Sequence, residues 1–210
     1  MSAAPPTLLD LLRAIAEGDA RRAALLLDAE PRLARESLRG GASRAEAKAW
    51  YFNEIAHYVY AGDTALHVAA AGHRAEIAER LIALGADVGA RNRRGATPLH
   101  YAADGAPGSA GWNPAAQART VALLLQAGAD PDAKDLSGTA PLHRAVRTRC
   151  SAAVAALLTG GADAGAANGN GSTPLELAGR TTGRGGSGSA EARAEQAAIM
   201  RLLAPFGETA

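Results

Sequence analysis

The sequence predicts an all-α fold, an elongated stack of short helix-turn-helix repeats. Three observations predict it. A motif begins at Gly62 (GDTALHVAA), Gly95 (GATPLHYAA), Gly138 (GTAPLHRAV) and Gly171 (GSTPLELA), at spacings of 33, 43 and 33 residues. A period in this range signals stacked repeats. A second tripeptide keeps the same phase: Gly85-Ala86-Asp87, Gly128-Ala129-Asp130 and Gly161-Ala162-Asp163. Between the two markers run apolar residues at helical spacing, such as Ile77, Ala78, Leu81 and Ile82.

In chain order, residues 7–34 read as a degenerate capping repeat. Leu8, Leu9, Leu11, Leu12 and Ile15 give one apolar face, Gly18-Asp19 breaks it, and Ala23 to Leu27 begin a second run that stops before Pro31. An end repeat has one neighbour only, so an atypical sequence is expected there. Residues 35–61 are an insertion of about 21 residues beyond the usual hairpin, judged against the repeat period. Ser43-x-x-Glu46 is a capping-box pattern, and Ala45 to His57 is expected to be helical after it. This segment holds Trp50, Tyr51, Phe52, Tyr58 and Tyr60 in a chain that is 4% aromatic. They are expected either to pack over the end of the stack, covering its first repeats, or to form an aromatic recognition surface.

Residues 62–94 form a regular repeat, with Gly85 supplying the positive φ that ends its second helix. Arg91, Arg93 and Arg94 follow on the hairpin with Asn92, as a solvated turn or a basic finger for an acidic partner. Residues 95–137 carry about ten extra residues, Asp104 to Pro114, between their two helices. Asn113 is expected to cap the second helix and Pro114 to open it, with Trp112 lying on the stack or exposed. Residues 138–170 have no insertion and turn at Arg147 to Ser151. Residues 171–207 are stretched at Arg180 to Ser189. They end in a helix over 190–203, with Ile199, Leu202 and Leu203 inward and Glu191, Arg193, Glu195 and Arg201 toward water.

Bulk properties narrow the function. The net charge of +1 gives no global field favouring nucleic acid or membrane. Cys150 is the one cysteine, so no internal disulfide forms, which fits a reducing compartment. The first residues lack the basic-then-apolar order of a signal peptide, and no run approaches the roughly 18 apolar residues of a membrane span. A cytoplasmic monomer is the expectation. The abundance of Ala, Gly and Arg has the look of a GC-rich bacterial genome.

The motif Thr97-Pro98-Leu99-His100, repeated with single departures at Thr64-Ala65-Leu66-His67 and Thr173-Pro174-Leu175-Glu176, resembles the ankyrin repeat. At Thr139-Ala140 the threonine and alanine are exchanged. The resemblance covers nearly all of residues 1–210 and implies one ankyrin-repeat domain of about five repeats. It also implies a structural, hydrogen-bonding role for His67, His100 and His143, and a non-enzymatic protein–protein scaffold that binds through the concave face and loop edge of the stack, its helix turns and hairpins. The expected partner is another protein, with no cofactor, metal, nucleic acid or membrane. No paired carboxylates, Gly-x-Ser-x-Gly elbow or dinucleotide fingerprint is present.

Both long insertions of repeats three and five fall at the helix-to-helix end, flanking Arg147, Arg149 and Cys150 of repeat four. The alternative function is therefore a small-molecule or anion pocket, catalytic if Cys150 is a nucleophile. Trp112 and Asn113 would approach from one side, and the loop carrying Arg184 from the other. A helix start and two flanking arginines are expected to lower the Cys150 thiol pKa. Gly183 to Ser189 could offer backbone N–H groups to an anion. The binding candidates are thus Trp112, Asn113, Arg147, Arg149, Cys150, Arg184, Arg93, Arg94, Trp50 and Tyr58.

Overall fold

The first helices of repeats two and three start at Thr64 and Thr97, whose backbone N–H groups donate to the ring Nδ1 of the histidine three residues on, at 3.2 Å to His67 and 3.1 Å to His100. An accepting Nδ1 leaves the proton on Nε2. That nitrogen donates into the next repeat: His67 to the Ala96 carbonyl at 3.1 Å, His100 to Thr139 at 2.9 Å. His143 does the same toward Ala166 at 3.0 Å. One neutral ring thus satisfies an orphan donor at its own helix start and ties two repeats together. Burial pushes the pKa of His67 and His143 down and that of His100 down to about 4.

The computed structural model describes residues 5–109, 111–180 and 189–207. Ten α-helices among them form five antiparallel pairs: α1 (Leu8–Glu17) with α2 (Ala20–Ala29), α3 (Ala65–Ala71) with α4 (Ala75–Ala83), α5 (Pro98–Ala103) with α6 (Pro114–Gln126), α7 (Pro141–Arg147) with α8 (Ser151–Thr159), and α9 (Pro174–Gly179) with α10 (Ala190–Leu203). Odd helices pack on odd and even on even along the stack, making two layers. The core lies between them. Leu66, Leu99 and Leu142 stand in one column and are at most 1% exposed, whereas Leu175 at the end is half-buried. A terminal repeat has no neighbour to complete its burial.

Local chemistry sets the boundaries. Thr7 and Asp10 make a reciprocal capping box on α1, and Gly18 (φ 74°) ends it. Asn113 accepts from the Ala116 N–H at 3.0 Å, with Pro114 as the first residue of α6. Asn92, Asp135 and Asn168 shape the inter-repeat hairpins identically, each Oδ1 accepting the backbone N–H groups two and four residues on. Glu195 departs from its expected solvent position. Its carboxylate accepts the Ser151 N–H at 2.7 Å and so caps α8 from the last helix.

The aromatic insertion also departs from expectation. Residues 45–57 are not an α-helix. Glu46 N–H donates to Ser43 Oγ (3.2 Å), forming half of the expected box, but only a 3-10 turn, Ala47–Trp50, follows. The chain then forms an antiparallel hairpin of β1 (Tyr51–Phe52) and β2 (His57–Tyr58), with Tyr51 opposite Tyr58. Aromatic residues fit a pleated ribbon, and the cross-strand pair Tyr51–Tyr58, with ring centroids 4.8 Å apart, supports it. The insertion covers the first repeats, as expected, though along the side of the stack and not over its end. Its 3-10 turn Asn53–Ile55 packs on α1, and His57 meets Tyr101 of α5 edge-on at 4.2 Å. It lies across the odd-helix face of repeats one to three.

Candidate functional site

The position after the motif histidine faces that same side, and its occupants differ: Val68, Tyr101, Arg144 and then Leu177. Under the hairpin, Tyr101 donates to Asp63 Oδ2 at 3.0 Å, and Asn92 Nδ2 donates to Asp63 Oδ1 at 2.8 Å. The Tyr60 backbone N–H also donates to Asp63, at 2.6 Å, which pins the insertion's end to this buried carboxylate. Burial beside Asp63 pushes the Tyr101 hydroxyl pKa up, so it stays a donor.

One repeat further, Arg144 is 8% exposed. Its Nη1 donates to Asp104 at 3.1 Å and its Nη2 to Asp135 at 2.9 Å. Burial works against the Asp135 charge, but hydrogen bonds from Ser137 and Arg144 hold its carboxyl down to about 2. Burial works against the Arg144 charge too, and the two carboxylates outweigh it.

Between the hairpin and these residues opens a cleft of about 490 Å³. Tyr51, Tyr58 and Tyr60 form its aromatic wall, Arg94 and Arg147 are its outer cations, and Ala96, Tyr101 and Arg144 line it more deeply, while Ala56 is exposed. Tyr58 is 40% exposed. The guanidiniums of Arg93 and Arg94 lie 5.1 and 5.3 Å from the Tyr60 ring centroid. Arg93 also donates to the Ala42 carbonyl, while Arg94 reaches the Tyr60 hydroxyl at 3.5 Å. The basic finger is therefore anchored on the insertion. Trp50 is half-buried, and its carbonyl accepts from Val59 N–H at 2.9 Å.

Of the groove expected at the helix-to-helix edge of repeats three to five, the described residues hold the repeat-three side and the floor, and these border separate openings. Gln117, buried, donates to the carbonyls of Ala102, Ala103 and Asp104 at the end of α5 and accepts from Trp112 Nε1 at 3.2 Å. A side chain on Gly105 would meet Cys150 Sγ at 2.6 Å, Gln117 at 3.0 Å and Trp112 at 3.1 Å, so this corner is filled. Trp112 lines a separate 380 Å³ depression facing His73 and the hairpin tip. Arg147 and Arg149 instead border a 200 Å³ cavity toward repeat five, with Arg180, Leu177 and Ile199. Asn113 is spent as a helix cap. Arg149 is 3% exposed and takes the left-handed turn conformation, φ 59°.

Cys150 corrects an expectation. It is fully buried, and burial pushes its thiol up to about 11, where a lowered value was expected. Desolvation outweighs the helix start. Arg184 and the loop from Gly183 to Gly188 lie outside the described residues. Among the described residues, no group of three or more His, Cys, Asp or Glu could hold a metal ion, and no helix is long and apolar enough to cross a membrane.

Asp63, Asn92, Tyr101, Gln117 and Arg144 were not among the sequence candidates. Arg144 carries a readable signal, a charge at a position that is apolar or aromatic in the sister repeats. Gln117 carries none.

No curated protein matches the chain. A family model described as ankyrin repeats in many copies matches residues 54–102 and 124–178, and one for the single ankyrin repeat matches 94–136. The capping pair α1 and α2 and the last helix fall outside these spans yet continue both layers. Ankyrin repeats are generally protein–protein interaction modules. With its helix pairs, histidine ties and hairpin turns repeating in register, the chain belongs to the ankyrin repeat family.

Proposed function

We propose that this chain is a non-enzymatic interaction scaffold that holds a partner protein in the cleft on its odd-helix face. One observation carries the reading. Four tyrosines and three arginines line a 490 Å³ cleft built between a fixed hairpin and a rigid stack. Tyrosine and arginine dominate binding hot spots, and a preorganised surface loses little entropy on association. The anchoring of the hairpin to Asp63 supports the rigidity. A photo-cross-linking residue placed at Tyr58 is expected to capture a protein from source-cell lysate. The same residue at Leu25, which is 62% exposed on α2 in the other layer, is expected not to. Capture at Leu25 alone would place the interface on the wrong side for this reading.

A second reading is favoured by the 200 Å³ cavity that Arg147, Arg149 and Arg180 border. Three arginines lining one small cavity suit a small anion. Titration with phosphate or citrate, read as a rise in melting temperature that Arg180→Ala removes, tests it. An unchanged melting temperature removes this reading.

A further inference from the structure

We propose that the depression at the hairpin tip binds a small zwitterion of the amino-acid class, its carboxylate on Arg74, its ammonium toward Glu54 and its body against Trp112. This goes beyond the cleft reading and does not depend on it.

Two departures from the repeat build the site. The aromatic insertion supplies Glu54 and Ile55, the loop of repeat three supplies Ser109 and Trp112, and the turn between α3 and α4 supplies His73 and Arg74. A regular repeat would have neither the insertion nor the loop. The walls are fixed. The 3-10 turn Asn53–Ile55 packs on α1. His73 Nε2 donates to the Asp104 carbonyl at 3.1 Å, and Trp112 Nε1 donates to Gln117 at 3.2 Å. The volume, about 380 Å³, is in the range that takes small molecules.

The charges set the ligand's chemistry. His57 and His73 are pushed toward the neutral form by burial, and Arg144 holds Asp104 at 3.1 Å. Arg74 and Glu54 differ from these. Among the described residues neither makes a hydrogen bond or an ion pair. Arg74 is held by packing instead. A side chain on Gly18 would meet its Cζ and Nη2 at 2.9 Å, and one on Gly72 would meet its Nε at 3.4 Å, so the two glycines leave the space in which it lies. Its Nε is shut away from solvent without an acceptor. A guanidinium placed this way keeps its capacity to pair with a carboxylate, and it has little freedom to lose when one arrives. A bare anion would meet Arg74 but share the space with the Glu54 carboxylate. A bare cation would meet the reverse. A molecule carrying both charges sets each against its opposite, and Trp112 and Ile55 offer apolar surface to the rest of it.

Melting temperatures of the whole chain with a panel of α- and ω-amino acids test the proposal. A rise is expected for at least one member. In titration calorimetry, the matching acid without the amino group and the matching amine without the carboxyl group are each expected to bind about tenfold or more weakly. Glu54 is exposed, so Glu54→Gln should fold, and it should lose the preference for the amino acid over the acid. Arg74→Gln should lose the preference over the amine. If Arg74→Gln lowers the melting temperature of the free chain, Glu54→Gln and the matching ligands give the comparison. Arg180→Ala, at the other cavity, should leave the affinity unchanged. Stabilisation by no member of the panel, equal binding of the matching acid, or a loss of binding on Arg180→Ala with none on Glu54→Gln overturns the proposal.

Discussion

The hairpin covers repeats two and three on their odd-helix face, whereas among the described residues nothing covers that face of repeats four and five, and one repeat position records the change. Under the hairpin it is Val68 and then Tyr101, at 0% and 2% exposure; beyond the hairpin it is Arg144 and then the half-buried Leu177. The covered half solves its polar problem with a neutral phenol and an amide on one carboxylate, Asp63. The open half uses a guanidinium between two carboxylates. A phenol donates one proton and carries no charge into the interior. A buried cation needs enough acceptors to replace its water. The cleft lies where one arrangement gives way to the other.

The largest expected effect concerns the core column shared by both halves. Leu142→Ala removes a side chain that is 1% exposed and should cost about 2–5 kcal/mol. Leu175→Ala, at the half-buried end, should cost less than half as much. Urea unfolding measures both. Equal losses would mean that the last repeat is as well covered as the fourth.

Next come the polar clusters. Arg144→Met should cost about 3 kcal/mol, because it leaves Asp104 and Asp135 without their shared cation. Tyr101→Phe should cost only about 1 kcal/mol, since Asn92 and the Tyr60 N–H still donate to Asp63. Reversal of that order in urea unfolding would locate the main polar tie under the hairpin.

Acid should act on the motif histidines in both halves. Burial holds His100 at about 4 when folded, against 6.5 when exposed. The unfolded chain therefore binds a proton between pH 6.5 and 4 that the folded chain refuses. Stability from this residue is complete above pH 6.5, falls through that window and stops falling below about 4. One such ring amounts to about 3 kcal/mol. Urea midpoints at pH 7 and 4.5 measure the loss. His100→Gln, if it still folds, should flatten the dependence.

Much of this was legible in the sequence, and the limits have physical causes. The period fixed the repeats, and Gly85 and Asn113 marked helix ends because those roles depend on residues close in the chain. The region from Ala45 to His57 was misread because a hairpin is decided by cross-strand partners, here Tyr51 with Tyr58, that local spacing does not reveal. The direction of the Cys150 shift was missed for a related reason. The flanking arginines and helix start can be read in order along the chain, while the burial by Gly105, Gln117 and Trp112 cannot. The candidates Arg94, Arg147 and Tyr58 do meet at one cleft, but the hairpin's path across the odd helices brings them there.

The smallest expected effect sharpens the contrast from outside. Arg119 and Glu76 join repeats three and two at 3.3 Å with side chains 65% and 81% exposed. The chemistry matches that of Arg144 with Asp135, whose side chains are 10% and 8% exposed. In water the attraction is weak, and two long side chains lose freedom to make it. Glu76→Gln should therefore change stability by less than about 0.5 kcal/mol, and added salt should erase the difference. Measured beside Arg144→Met in the same buffer, it isolates burial as the variable. If the exposed pair mattered as much as the buried one, the polar clusters under and beyond the hairpin would owe their strength to charge alone, and the two halves of the molecule would not differ in the way their coverage requires.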